Sequence, residues 1–157
     1  MKILVLFLGK TDKKYIKEGI EDYVTRLNFY LPFEMKVIPD LKNCSNISAE
    51  QQKEKEGRLI LEQVNKGDHL ILLDERGIEY SSIEFSGWLE KKMIAGMRLL
   101  IFAVGGPYGF SEAVYQRADN KISLSRLTFS HQMVRMIFVE QLYRAMTIIK
   151  NEPYHHE

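Results

Sequence analysis

Three stretches of this chain are apolar without interruption: "ILVLFL" at 3–8, "LILL" at 70–73 and "LLIFAV" at 99–104. A strand covered on one face alternates apolar with polar residues, whereas a run with no polar member has to be covered on both faces. That is the situation of parallel strands flanked by helices. The segments between the runs show the other periodicity. Ile16, Ile20, Tyr23, Val24 and Leu27 recur at helical spacing, as do Val134, Ile137, Phe138, Gln141, Leu142, Ala145 and Ile149. Strands alternating with helices predict an α/β fold on a mainly parallel sheet with helices on both faces.

The remaining segments fill in the alternation. "EMKVIPD" predicts a short second strand ended by Pro39, followed by a loop over 40–47. Ser48 and Gln51, then Ser81 and Glu84, have capping-box spacing and mark two helix starts. The first helix, in "EQQKEKEGRLILEQV", turns Leu59, Ile60 and Val64 inward and carries its lysine and glutamate run as a solvated face; the second holds Ile83, Trp88, Leu89 and Met93. Ser111 is placed to cap a short helix, and "KISLS" is the last strand. A length of 157 residues with 45% hydrophobic content is enough for one core, so residues 1–157 are expected to form a single domain.

Charge and cysteine usage narrow the class. A net charge of +1 gives no overall basic field, so a nucleic-acid partner would be met by a local patch. The lone Cys44 excludes an internal disulfide framework and a cysteine-based metal site, and fits a reducing cytoplasm. The opening "ILVLFLG" is too short for a signal peptide or a membrane span.

The segment "FAVGGPYGFSEAV" at 102–114 runs from an apolar strand through three glycines into a helix start. In parallel α/β sheets ligands sit beyond the carboxyl ends of the strands, so this loop is where a binding site belongs. A dinucleotide fingerprint would need glycines at 105, 107 and 110, but Pro107 and Phe110 occupy two of those positions. A phosphate-cradling loop would end in Gly-Lys-Ser/Thr, whereas Gly109 is followed by Phe110 and Ser111. What survives is a turn whose glycines let backbone approach a ligand closely. A second polar loop, "SLSRLTFSHQMVR" at 123–135, follows the next strand and is expected beside the first, with the "LLDERG" strand end completing a pocket.

These segments carry a resemblance. "LDERG" at 73–77, "GGPYG" at 105–109, "LSRLTFSHQMVR" at 124–135, "EQLYRA" at 140–145 and the terminal "NEPYHHE" resemble, in order and spacing and over essentially the whole chain, the RlmH (formerly YbeA) family. Those proteins are small SPOUT-class methyltransferases that modify a pseudouridine in large-subunit ribosomal RNA. The resemblance implies a SPOUT-type α/β fold with a C-terminal trefoil knot, a homodimer acting on assembled ribosomes, and S-adenosylmethionine as methyl donor. It places the cofactor on Leu73, Gly105, Leu124, Ser125, Arg126, Leu127, Thr128 and Phe129. Two positions depart from the family pattern: Ser130, where relatives commonly have proline, is expected to loosen the loop slightly, and His156 stands where some have arginine.

Methylation at N3 of a pseudouridine requires an imide nitrogen to lose its proton and attack in line with sulfur, so the protein has to align two reactants and help remove one proton. His131, His155 and His156 belong to the side-chain type that titrates nearest neutrality. His155 and Tyr154 are expected over the pocket, His155 assisting proton removal and Tyr154 stacking on or bonding to RNA; His131 is the alternative acceptor at a helix start. Arg135, Arg144 and His156 are the candidate RNA contacts, within a C-terminal third that also holds Arg126 and Lys150. Arg144 could equally pair with Glu140, and the apolar stripe of "VRMIFVEQLYRA" could serve a dimer face or the core. No metal is required. A non-catalytic nucleotide- or RNA-binding module of ribosome assembly is the competing reading, and a nicotinamide or flavin oxidoreductase fails on the missing fingerprint.

Overall fold

The computed structural model describes residues 1–41 and 46–156; Cys44 and the middle of the loop expected over 40–47 lie outside the described residues. Among the described residues five strands and five helices alternate: β1 (Lys2–Leu8), α1 (Lys14–Leu27), β2 (Phe33–Ile38), α2 (Ala49–Leu61), β3 (His69–Glu79), α3 (Ser82–Ile94), β4 (Leu99–Val104), α4 (Glu112–Arg117), β5 (Asn120–Ser123) and α5 (His131–Ile149). The strands form one sheet in the order β2-β1-β4-β3-β5, and every pairing is parallel.

The uninterrupted apolar runs are explained by two cores, one on each face of the sheet. Along β1, Ile3, Val5 and Phe7 face one layer while Leu4 and Leu6 face the other. Along β4, Leu100, Phe102 and Val104 join the first layer, and Ile101 and Ala103 the second. The first layer is closed by α1, α3 and α5 and the second by α2 and α4. Phe102 meets Phe138 of α5 at a ring separation of 4.8 Å, tilted by 58°, a pairing worth roughly 0.5–1.5 kcal/mol beyond its buried area.

Both capping boxes form: Ser48 and Gln51 bond reciprocally at the start of α2, and Ser81 and Glu84 at the start of α3. Three details differ from the sequence reading. The charged face of α2 is not wholly solvated, because Glu56 is buried beside Gly57 and Ile60. Ile83 points outward, 41% exposed, while Phe85 fills the inner face of α3. β3 does not end at "LLDERG" but shifts register between Leu73 and Ile78 and continues beside β5.

Gly77 explains how β3 manages this. A Cβ at that position would lie 2.5 Å from the backbone of Ile122, so only glycine lets the displaced strand pass β5. The sheet order also corrects one adjacency: β5 lies against β3, not β4, so the loops after β4 and β5 flank the end of β3 from either side.

Candidate active site

At the carboxyl ends of β3, β4 and β5 the three loops enclose a cavity of about 490 Å³, within the usual range of small-molecule sites, roughly 300–1,000 Å³. The β3 end contributes Leu73, Asp74, Glu75 and Arg76; the glycine loop contributes Val104 to Phe110; the loop after β5 contributes Leu124, Ser125, Leu127, Thr128 and Phe129. Lys53, Tyr115 and Val134 close the sides.

Each loop is shaped by its own sequence. Gly109 N–H donates to the Gly106 carbonyl at 3.1 Å, closing a four-residue turn with Pro107 in its second position and Gly109 at φ +78°. The turn swings Phe110 back into the second core and leaves Gly105 on the cavity wall. Asp74 accepts from the Arg76 amide at 2.8 Å through one carboxylate oxygen and from the Tyr115 hydroxyl through the other. Burial, reinforced by that carboxylate, pushes the Tyr115 phenol up to about 12, so it stays a proton donor at neutral pH. Ser125 Oγ accepts from the Leu127 amide at 2.9 Å, and Leu127 stands 75% exposed at the rim.

Of the residues assigned to the cofactor by resemblance, Leu73, Gly105, Leu124, Ser125, Leu127, Thr128 and Phe129 line this one cavity. Arg126 does not: its side chain is 89% exposed and lies 3.3 Å from Glu79. Asp74, Tyr108 and Tyr115 were missed as individual side chains, although Asp74 and Tyr108 sit inside quoted motifs. Tyr115 reaches the cavity from α4, one turn beyond Ser111, where its apolar context reads as core.

The expected RNA arginines do not share a surface. Arg135 is buried, 3% exposed, and donates to the carbonyls of Leu8 at 2.6 Å and Gly9 at 2.9 Å and to Thr11 Oγ1 at 2.9 Å. Its guanidinium also lies 5.0 Å from the Phe7 ring centre. This corrects its assignment as an RNA contact: it ties the end of β1 to α5. Arg144 does pair with Glu140, at 2.6 and 3.0 Å, and lies 4.7 Å over the Tyr154 ring.

The tail folds back rather than reaching its own cavity. Asn151, at φ 55°, ends α5 in the left-handed conformation, and Tyr154 lands on the helix it has just left. Its ring meets Tyr143 edge-on at 4.7 Å, and its hydroxyl donates to Glu140 at 3.1 Å and lies 3.3 Å from the Tyr23 hydroxyl. His155 Nδ1 is 3.2 Å from Arg144, and its Nε2 is buried with no hydrogen bond within the described residues. Neither Tyr154 nor His155 lines the cavity, because Glu140 and Arg144 are nine and thirteen residues beyond His131, about 14 and 20 Å along the axis of α5. Within one chain, therefore, the tail expected over the pocket does not reach it. Burial and Glu140 also raise the Tyr154 phenol well above its ordinary value, so it cannot take a proton at neutral pH. His156 is exposed at the end of the tail, and His131 is exposed at the start of α5.

The apolar stripe of α5 serves the core: Phe138, Val139, Leu142, Ala145 and Met146 are buried between α1 and α3. Among the described residues there is no cluster of three or more metal-ligating side chains, and no helix is long and apolar enough to cross a membrane.

The comparisons with known proteins agree with this geometry. The model of the predicted SPOUT methyltransferase family matches residues 1–155. The chain is 62% identical over 157 residues, 100% of both chains, to a protein of Parabacteroides distasonis named ribosomal RNA large subunit methyltransferase H. Proteins of the same name from Porphyromonas gingivalis and Flavobacterium johnsoniae are 56% and 55% identical, again over 100% of both chains. With the sheet, the three-loop cavity and the tail as far as His155 inside the matched span, the chain belongs to the SPOUT methyltransferase family, beside the RlmH proteins.

Proposed function

We propose that this protein transfers a methyl group from S-adenosylmethionine to N3 of a pseudouridine in large-subunit ribosomal RNA, on the assembled ribosome in the cytoplasm. The observation that carries the reading is the single cavity walled by the loops after β3, β4 and β5, onto which seven residues assigned by resemblance converge. The names of the full-length relatives support ribosomal RNA as the substrate.

The wall suits the proposed donor. Leu73, Leu124, Leu127, Phe129 and Val134 offer apolar surface to a flat adenosyl group, and Gly105, without a Cβ, lets the wall run close against the Phe110 ring. Asp74 and Glu75 with Lys53 and Arg76 give the same wall charges of both signs, suited to a donor that carries a sulfonium, an ammonium and a carboxylate. When bound, S-adenosylmethionine supplies an electrophilic methyl carbon on a sulfonium. The chain's own tasks are then to exclude water with its apolar wall, to fix Asp74 through Tyr115 and the Arg76 amide, and to accept one proton from the imide nitrogen.

The proton acceptor in this reading is His155 Nδ1, which exchanges its bond from Arg144 for the imide proton, with Tyr154 positioning the ring, and it acts in the homodimer that the resemblance implies. Because the tail is held far from its own cavity, the tail over each cavity is the one from the second subunit. Arg144, Glu140 and Tyr23 hold that tail in a fixed form for presentation. The trefoil knot implied for the C-terminal part belongs to the same reading.

Calorimetric titration tests the cofactor. S-adenosylmethionine is expected to bind saturably to the wild type and to His155→Ala, and not to Gly105→Leu, whose Cβ would lie 3.2 Å from the Phe110 ring and force the glycine loop that walls the cavity to shift. Binding of a nicotinamide dinucleotide in its place would overturn the assignment. Co-expression of Gly105→Leu with His155→Ala subunits, each inactive alone, is expected to restore part of the wild-type rate, and no recovery would contradict the shared site.

A further inference from the structure

Among the described residues one carboxyl is buried, and it lies directly behind the glycine loop. Glu56 is 7% exposed, on the face of the sheet covered by α2 and α4. Gln52 donates to its Oε1 at 2.8 Å, while its Oε2 is buried without a hydrogen-bond partner within the described residues. A Cβ on Gly106 would lie 2.5 Å from that Oε2, so the oxygen rests against the backbone of the loop. Gly106 also lines the cofactor cavity, which leaves the cavity on one side of the loop and the carboxyl on the other.

The next residue of α2 repeats the arrangement. A Cβ on Gly57 would lie 2.2 Å from Ser111 Oγ, which is likewise buried and without a partner within the described residues. Both ends of the loop, Gly106 and Ser111, therefore rest on adjacent residues of one helix. Lys53, about one turn earlier on α2, reaches the cavity itself. α2 is the back support of the cavity wall.

Charge decides what this support tolerates. As the neutral acid, Glu56 sets no net charge against Gly106. Ionised, it would set a full charge there with no donor at Oε2. The groups around it do little to offset that charge. Gln52 serves the other oxygen, Lys53 is held by Glu50 at 2.7 Å, Asp40 beyond β2 repels, and His131 at the start of α5 helps only when protonated. Burial raises the pKa of Glu56, and Asp40 adds to the shift. An ionised carboxylate in this place gains a donor or water only when the loop that covers it moves.

We propose that Glu56 is a positioning residue for the methyl donor: in its protonated form it holds Gly106, and with it the glycine loop, in the shape that receives the donor, and loss of the proton frees the loop. The proposal rests on the reading of the cavity as the S-adenosylmethionine site. Donor affinity then falls as pH rises through the folded-state value of Glu56, and Glu56→Gln, which keeps the shape and removes the titration, abolishes that dependence.

Two measurements test it separately from that reading. The first is amide hydrogen exchange of residues 105–110 in the ligand-free protein, which needs no cofactor. The opening constant of the loop is expected to rise about tenfold between pH 6 and pH 9 in the wild type and to stay level in Glu56→Gln. A level constant in the wild type, or the same rise in Glu56→Gln, would overturn the proposal. So would an equal loss of protection along β1 and β4, which would mark global unfolding instead of release of the loop. The second measurement is calorimetric titration of S-adenosylmethionine over the same pH range, where the ratio of the wild-type Kd to that of Glu56→Gln is expected to rise about tenfold. The ratio cancels any titration of the donor itself. No binding by the wild type at any pH, with the exchange profile present, would sink the cofactor reading and leave Glu56 as the support of the loop. Binding with a constant ratio would keep the reading and overturn the proposal.

Discussion

Glu56 is a carboxyl buried behind the glycine loop: Gln52 donates to one oxygen at 2.8 Å, and the other has no partner within the described residues. Burial raises its pKa; Asp40 adds to the shift, while Gln52 and a charged His131 oppose it. The native state therefore keeps this proton to higher pH than the unfolded chain does. Folding stability accordingly falls as pH rises from the ordinary carboxylate range through the raised folded value. Glu56→Gln should thus be more stable than wild type at pH 8, with the difference shrinking toward pH 4 in denaturant melts; a difference independent of pH would contradict the burial argument. Arg135 makes the opposite case. Arg135→Met leaves the Leu8 and Gly9 carbonyls without their donor and should cost about 3 kcal/mol in urea unfolding, whereas an RNA contact would lose affinity and keep its stability. Neither residue was legible in the sequence. A glutamate in a lysine-rich helix and an arginine near other arginines read as surface, and only the approach of separate elements decides that both are inside.

At the next level the helix starts were legible because they are local. Ser-x-x-Gln and Ser-x-x-Glu place donor and acceptor within one turn, so spacing alone decides them. Ser130 shows what spacing leaves open. It caps α5, its Oγ accepting from the Met133 amide at 3.1 Å, with its backbone at φ −65°. Instead of loosening the loop, it fastens the start of the longest helix. Ser130→Ala should cost about 1 kcal/mol. Ser130→Pro loses the same bond but fits the angle and restricts the unfolded chain, so its net change should be smaller than that of alanine. Equal losses in the two variants, by thermal melts, would contradict this. Gly77→Ala should destabilise by about 2 kcal/mol through its clash with Ile122, because β5 is held only along β3. The register shift that creates the need is a property of two strands, and the sequence shows one glycine after a charged turn.

The architecture of the whole chain was legible because strands buried on both faces leave an unmistakable pattern. The meeting of three loops at one cavity was legible because parallel strands deliver their carboxyl ends to one edge. Strand order was less so: β1 and β2, and β3 and β4, are neighbours in sequence and in the sheet, but β4 joins β1 and β5 joins β3 across the chain. The path of the tail was not legible for a related reason, since a terminal segment has no periodicity to fix its direction. Its position on Tyr143 and Glu140 depends on a single left-handed residue, Asn151. The most direct measurement is transfer of labelled methyl from S-adenosylmethionine to intact ribosomes from cells lacking this gene, with the labelled nucleotide identified by mass spectrometry. Label on N3 of a large-subunit pseudouridine, lost in Gly105→Leu and in His155→Ala, is the predicted result. Tight binding of S-adenosylmethionine with no label on ribosomal RNA would contradict it and favour a binding module that has the cavity without the reaction.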